Sequence, residues 1–194
     1  MKRLGTSFHY LVFFCAFCFL EFVIILVAPI TEKEILLQFK GNISCDPFSS
    51  LSSWDQNNSP CRDYRGVVGN SDGNVARIVF WNKSLGGVLS PALSGLKSLK
   101  TIDLFGNKFK RNIPLEYGEI DTLWKINLSS NALSGVIPDF LGDLPNIRSL
   151  EGIDLSFNSL NGGLATEICG IPGVVYLAVR NNVLLGSVQD NVSE

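Results

Sequence analysis

Histidine is nearly absent from this chain: among 194 residues the only one is His9. It lies in an apolar leader that reads as a targeting segment, so the remainder carries no imidazole. That excludes Ser-His-Asp and Cys-His catalysis and any histidine-based metal site, and neither cofactor nor metal is expected. Charge is also scarce. Charged residues make up 18%, with Lys+Arg 16 against Asp+Glu 18 and a formal net charge of −2. No cationic surplus is available to offset phosphate, which argues against a nucleic-acid partner. Few charges do not mean disorder here. Hydrophobic residues reach 46%, too many for a chain that stays unfolded, and the length suits one ordinary domain.

The leader is residues 1–30. Lys2 and Arg3 form a basic start, and Leu11 to Ile30 is apolar except for Glu21. This is the plan of a secretory signal peptide, with the cut placed within 28–31. The rival reading is a membrane anchor, since about 20 apolar residues span a bilayer. Glu21 opposes it, because a carboxylate at mid-bilayer costs about 2.5–3.5 kcal/mol. Removal of the leader takes Cys15 and Cys18 with it. Cys45, Cys61 and Cys169 remain, an odd number for an oxidising compartment.

From Val75 onward one pattern recurs. Val75, Ile78, Phe80 and Leu85 open it. Leu99, Ile102, Leu104, Asn107 and Phe109 follow 24 residues later, and Leu123, Ile126, Leu128, Asn131 and Leu133 another 24 later. Leu150, Ile153, Leu155, Asn158 and Leu160 come after 27; Val174, Leu177, Val179, Asn182 and Leu184 after 24. The template is L-x-x-L-x-L-x-x-N-x-L. Alternation over L-x-L points one face of a short strand inward. A unit that cannot bury its own apolar face must stack on copies of itself, so each repeat makes one turn of a solenoid with parallel strand pairing. The Asn sits where the chain leaves the strand, and its amide is placed to bond backbone groups of neighbouring turns.

The second half of the third repeat reads Leu133-Ser134-Gly135-Val136-Ile137-Pro138. This resembles the plant-type leucine-rich repeat, L-x-G-x-I-P. The second repeat keeps Ile113-Pro114 but has Arg111 at the glycine position. The first, fourth and fifth keep Gly87, Gly162 and Gly186 but carry Ser90, Ala165 and Gln189 instead of proline. Upstream, Thr31 and Glu34 fit a capping box that opens a helix with Ile35, Leu36 and Phe39 on its apolar face. Leu51-x-x-Trp54 and Pro60-Cys61-x-x-Tyr64-x-Gly66-Val67 resemble the N-terminal cap of plant leucine-rich-repeat receptor-like kinases. The resemblance implies an α/β solenoid: a signal peptide over 1–30, a helical cap over 31–74, and five repeats over 75–194, the last incomplete. The family cap closes with a second cysteine after Gly-Val, where this chain has Val68, Gly69 and Asn70. Cys45 is then the partner expected for Cys61, the alternative being two free thiols. Cys169 is expected buried and unpaired. Ile147-Arg148-Ser149 is an excess over the repeat length, read as a loop insertion or as a splice between repeats. No kinase motif and no second apolar span occur, so the expectation is a receptor ectodomain fragment.

Leucine-rich-repeat proteins bind partners on the concave face, formed here by the strand positions between the inward leucines. The candidates for ligand contact are Trp81, Asp103, Phe105, Trp124, Tyr176 and Arg180, since exposed aromatic and arginine side chains are hot-spot material. Trp81 and Phe105 occupy one repeat position in adjacent turns, about 4.8 Å apart along the sheet. Asp103 and Asp154 share a column about 10 Å apart, near the spacing of an inverting glycosidase pair. An open, solvated sheet has nothing to separate their pKa values, so no enzyme is expected. Lys108-Phe109-Lys110-Arg111 reads as a solvated basic loop. Asn42, Asn57, Asn82, Asn127 and Asn191 are N-x-[ST] sequons and hence glycosylation acceptors in a secreted chain. A glycan on Asn127 would stand over the middle of the face. The function expected is extracellular binding of a peptide, protein or glycan, with a co-receptor, at the outer face of the plasma membrane or free of it. Attachment would need an uncleaved leader or a C-terminal span missing from this chain. The alternative is a cell-wall inhibitor similar to those of polygalacturonases.

Overall fold

Each repeat contributes two strands where the sequence pattern predicts one. The structure, a computed structural model, describes residues 29–139, 152–163 and 175–185. The first sheet is the predicted one. Its strands are β2 (Val67–Gly69), β3 (Val75–Val79), β5 (Thr101–Asp103), β7 (Lys125–Asn127), β9 (Gly152–Asp154) and β11 (Tyr176–Ala178). β3 to β11 pair in parallel, as repeat stacking requires, and β2 closes the sheet antiparallel to β3. The second sheet was not foreseen. It holds β1 (Ile43–Cys45), β4 (Gly86–Val88), β6 (Lys108–Arg111), β8 (Ala132–Val136), β10 (Ser159–Gly163) and β12 (Val183–Leu185). Again the repeat strands are parallel and the cap strand β1 is antiparallel to β4. The L-x-G half of the repeat builds this sheet, and its glycines masked the strand signal.

The core lies between the sheets. Ile78, Ile102, Ile126 and Ile153 are fully buried, as are Leu104, Leu128, Leu155, Phe109, Leu133 and Leu160. Leu177, expected to be buried with them, is only half-buried. Cys169 lies outside the described residues, as do Glu151, Gly186 and Asn191.

The repeat asparagines form the anticipated ladder. Asn131 Nδ2 donates to the carbonyls of Leu128 in its own turn and Leu104 in the previous one, both at 3.0 Å. Its Oδ1 accepts the Phe109 N–H at 3.0 Å. Asn107, Asn158 and Asn182 repeat the arrangement. Backbone groups that face no strand are thus satisfied from within.

At the cap, α1 (Glu32–Gly41) buries Ile35, Leu36 and Phe39, and the compact unit carrying the repeats begins at Glu32. Both Glu32 carboxylate oxygens accept the Val75 N–H, at 3.0 and 3.1 Å, tying the helix to the first repeat strand. Trp54 is fully buried, stacks on Tyr64 at 5.1 Å and packs beside Phe39 and Phe80. Its indole N–H donates to the Arg65 carbonyl at 2.8 Å. Gly66 is required by position as well as conformation: at φ +80°, an added Cβ would lie 2.5 Å from the Phe80 ring.

The cysteine pairing expected from the resemblance is not formed. Cys45 and Cys61 are both free thiols. Cys45 sits on β1 opposite Gly86, whereas Cys61 sits in the one-turn helix α2 (Pro60–Asp63) and faces Gly69 on β2. Cys45 thus lies on the edge strand of the second sheet, and Cys61 on a helix beside the edge strand of the first. A Cβ at Gly69 would be 2.8 Å from that of Cys61. The residue opposite Cys61 is therefore a glycine, within the stretch Val68, Gly69 and Asn70 where the resemblance implies a second cysteine. Burial pushes the Cys61 thiol above its ordinary range, and the Glu32 carboxylate adds to the shift.

Candidate concave binding face

Strand register sets three rows across the first sheet. Arg77, Thr101, Lys125, Gly152 and Tyr176 form one row; Val79, Asp103, Asn127, Asp154 and Ala178 form the next. The ladder runs on past the strand ends: Asn82 N–H donates to the Phe105 carbonyl, Gly106 N–H to that of Ser129, Ser130 N–H to that of Ser156, and Phe157 N–H to that of Arg180. This extends the alignment to a third row: Trp81, Phe105, Ser129, Ser156 and Arg180. Trp81 and Phe105 are therefore neighbours across adjacent turns.

Exposure divides the predicted contact residues. Trp81 and Tyr176 are each 54% exposed and Trp124 is 43% exposed, large values for such side chains on a sheet. Phe105 is half-buried and Arg180 is exposed. Asp103 departs from expectation: only 4% of it is accessible, and Thr101 beside it is equally covered. One Asp103 carboxylate oxygen lies 3.4 Å from Lys125 Nζ, and the other is buried with no hydrogen-bond partner. Asp103 is thus no contact residue. It holds the Lys125 ammonium on the face, where the lysine side chain stays 44% exposed. A carboxylate so placed is costly unless its charge is met, and Lys125 meets it from one side only.

Asp103 and Asp154 flank Asn127 in their row. Asp154 accepts the Ser156 N–H at 3.0 Å and is also bonded by the Ser156 hydroxyl. Asn127 Oδ1 accepts the backbone N–H of Ser129 at 3.1 Å and its hydroxyl at 2.7 Å. Asn127 and Asp154 are thus each held by the serine two residues on, whereas Asp103 is buried against Lys125. Among the sequons, Asn57 and Asn82 are exposed, Asn42 and Asn127 half-buried.

Phe157 escaped the sequence reading. It is 43% exposed, holds φ +56°, and carries the Arg180 guanidinium 5.1 Å from its ring centroid. Its column is left-handed throughout: Asn82, Gly106, Ser130 and Asn181 also have positive φ. A bulky aromatic there is unusual, and only the periodicity of the turn could have revealed it.

Comparison with known proteins places this geometry. The family described as leucine rich repeat N-terminal domain matches residues 29–68, and that described as Leucine Rich Repeat matches residues 122–144. Pollen receptor-like kinase 2 of Arabidopsis thaliana is 29% identical over 84% of this chain and 25% of its own length. The receptor protein-tyrosine kinase CEPR2 of the same plant is 36% identical over 80% of this chain and 16% of its own. Among solved structures, the BIR3–SERK2 complex from Arabidopsis thaliana superposes with a TM-score of 0.73 at 26% identity, covering 81% of this chain and 85% of that one. PEPR1–AtPEP1 superposes with a TM-score of 0.72 at 31% identity, covering 79% and 21%. The chain spans about a quarter or less of the curated relatives it matches most strongly. Among the described residues, no helix is long and apolar enough to cross a membrane.

Proposed function

This is a leucine-rich-repeat ectodomain of the plant receptor type, and we propose that it is an extracellular, non-catalytic binding module whose concave face receives an extended peptide or a protein loop. The observation that carries this reading is the exposure of Trp81, just past the end of β3, and of Trp124, just before β7, with half-buried Phe105 in the turn between them and none of the three in the core. Exposed aromatics anchored next to paired strands lose little entropy on binding and supply hot-spot area. Lys125, fixed by Asp103, and Arg180, fixed by Phe157, provide oriented cations at two points along the same face. Two structural relatives support such partners: one solved as the pair BIR3 and SERK2, the other as PEPR1 with AtPEP1.

The test is direct. The secreted chain is screened against an array of extended synthetic peptides and against the SERK2 ectodomain, and any binder is measured by calorimetry. Trp81→Ala combined with Phe105→Ala should weaken binding by about 30-fold or more, as removal of a central hot spot does. Unchanged affinity in that variant, with an unchanged melt, contradicts the assignment.

A further inference from the structure

The second sheet carries a charged feature that the concave reading does not use. Strand β6 places Lys108, Lys110 and Arg111 within four residues, all exposed, while Phe109 between them is fully buried. Simple alternation would send Arg111 inward after Lys110. It does not go inward, because its backbone is left-handed, with φ +69°. The other turns place Gly87, Gly135 and Gly162 at this repeat position, all with positive φ. Arginine thus occupies a site built for glycine, at a cost of about 1–2 kcal/mol. Strain retained at one point of a regular array indicates that the side chain is wanted there.

The surroundings leave these charges available. The residues paired across from β6 are Gly86, Gly87 and Val88 on one side and Ala132 and Leu133 on the other, so no acidic residue lies opposite. Among the described residues, the ion pair formed is that of Lys125 with Asp103, and none of the three cations takes part in one. Of the five paired neighbours, Gly86, Gly87 and Ala132 are small and none is charged, and the three cationic side chains are exposed. The outward positions of β6 hold only cations and no aromatic. The strand does not select a single compact anion; it presents a short row of like charge to a partner whose negative charge also repeats along a line.

We propose that β6 is a docking row for a linear acidic polysaccharide of the polyuronate type, separate from the concave face. An extended acidic peptide has the same charge, but it would pair its backbone along a sheet edge, and β6 lies in the sheet interior between β4 and β8. A polysaccharide needs only the standing cations.

The experiment uses the secreted full chain, immobilised sodium polygalacturonate without calcium, a neutral dextran control, and poly-glutamate. Wild type should be retained by polygalacturonate, not by dextran, with affinity falling steeply as salt rises. The triple variant Lys108→Ser, Lys110→Ser, Arg111→Gly should bind at least about tenfold more weakly. Arg111→Gly relieves strain, so this variant is expected to melt no lower than wild type, which separates lost binding from lost folding. The concave variant Trp81→Ala with Phe105→Ala should keep its polygalacturonate affinity whether or not the concave face proves to bind a peptide. Absence of wild-type retention overturns the proposal, as does equal retention of the triple variant. Equal affinity for poly-glutamate overturns the polysaccharide assignment.

Discussion

Asn131 substitutes for backbone partners that a solenoid turn cannot otherwise supply. Alanine there would leave the Phe109 N–H without its partner and remove one of the two amide donors to each of the Leu104 and Leu128 carbonyls, which keep Asn107 and Asn158 respectively. A loss of about 1–3 kcal/mol is expected in urea unfolding, more than the effect of an exposed asparagine; a loss under about 0.5 would mean that water replaces the amide freely. Gly66 and Gly73 separate strain from collision. Both have φ near +80°, but a Cβ at Gly66 strikes the Phe80 ring, whereas nothing lies within 4 Å at Gly73. Gly73→Ala should therefore cost about 1 kcal/mol and Gly66→Ala clearly more. Equal penalties would show that the ring yields. Cys61 gives a pH signature. Its folded thiol titrates above the ordinary 9.0, so below that value the thiol is neutral whether folded or unfolded and stability is flat. Above it the unfolded chain ionises first and stability falls. Cys61→Ser should remove the Cys61 share of that decline, leaving the part due to the buried Tyr64 and Tyr117 phenols, which burial also pushes up, and timed alkylation at pH 8 should label exposed Cys45 before Cys61. At this scale the asparagines and the large aromatics were legible because type and spacing coincide. The burial of Asp103 was not, since it depends on Thr101 and Lys125 closing over a position that the repeat marks as outward.

Strands of three residues are stable here only as members of a stack. The first sheet could be read from L-x-x-L-x-L because its apolar period is strict. The second could not, because Gly86, Gly87, Gly135 and Gly162 replace strand formers and the left-handed turn at Arg111 breaks alternation. The same turn converts what read as a basic loop into an exposed strand. The cap was only partly visible. The apolar face of α1 predicted a helix, yet what locks it to the repeats is the Glu32 carboxylate on the Val75 N–H, a contact across 43 positions of sequence. Glu32→Ala should destabilise the chain by about 1.5–3 kcal/mol, as loss of a charge-assisted bond does. Glu32→Gln, which keeps one acceptor, should lose less. Thermal melts of the three proteins would order them; alanine and glutamine variants with equal melts would show that the contact contributes packing rather than charge.

Across the whole molecule, stability is a sum of turns and their interfaces, and the binding proposed here uses faces rather than clefts. One face offers aromatics with two fixed cations; the other offers a row of cations on β6. Nothing in composition separates them, because a net charge of −2 conceals an uncompensated basic strand. The central claim is that a partner peptide meets the concave rows. Hydroxyl-radical footprinting of the secreted chain, free and saturated with an array-selected peptide, tests it most directly. Protection is predicted at Trp81, Phe105 and Trp124, with Trp54 silent in both states because it is fully buried. Protection confined to the exposed Val183 and Leu185 on the second sheet, with Trp81 and Trp124 unchanged, would contradict it.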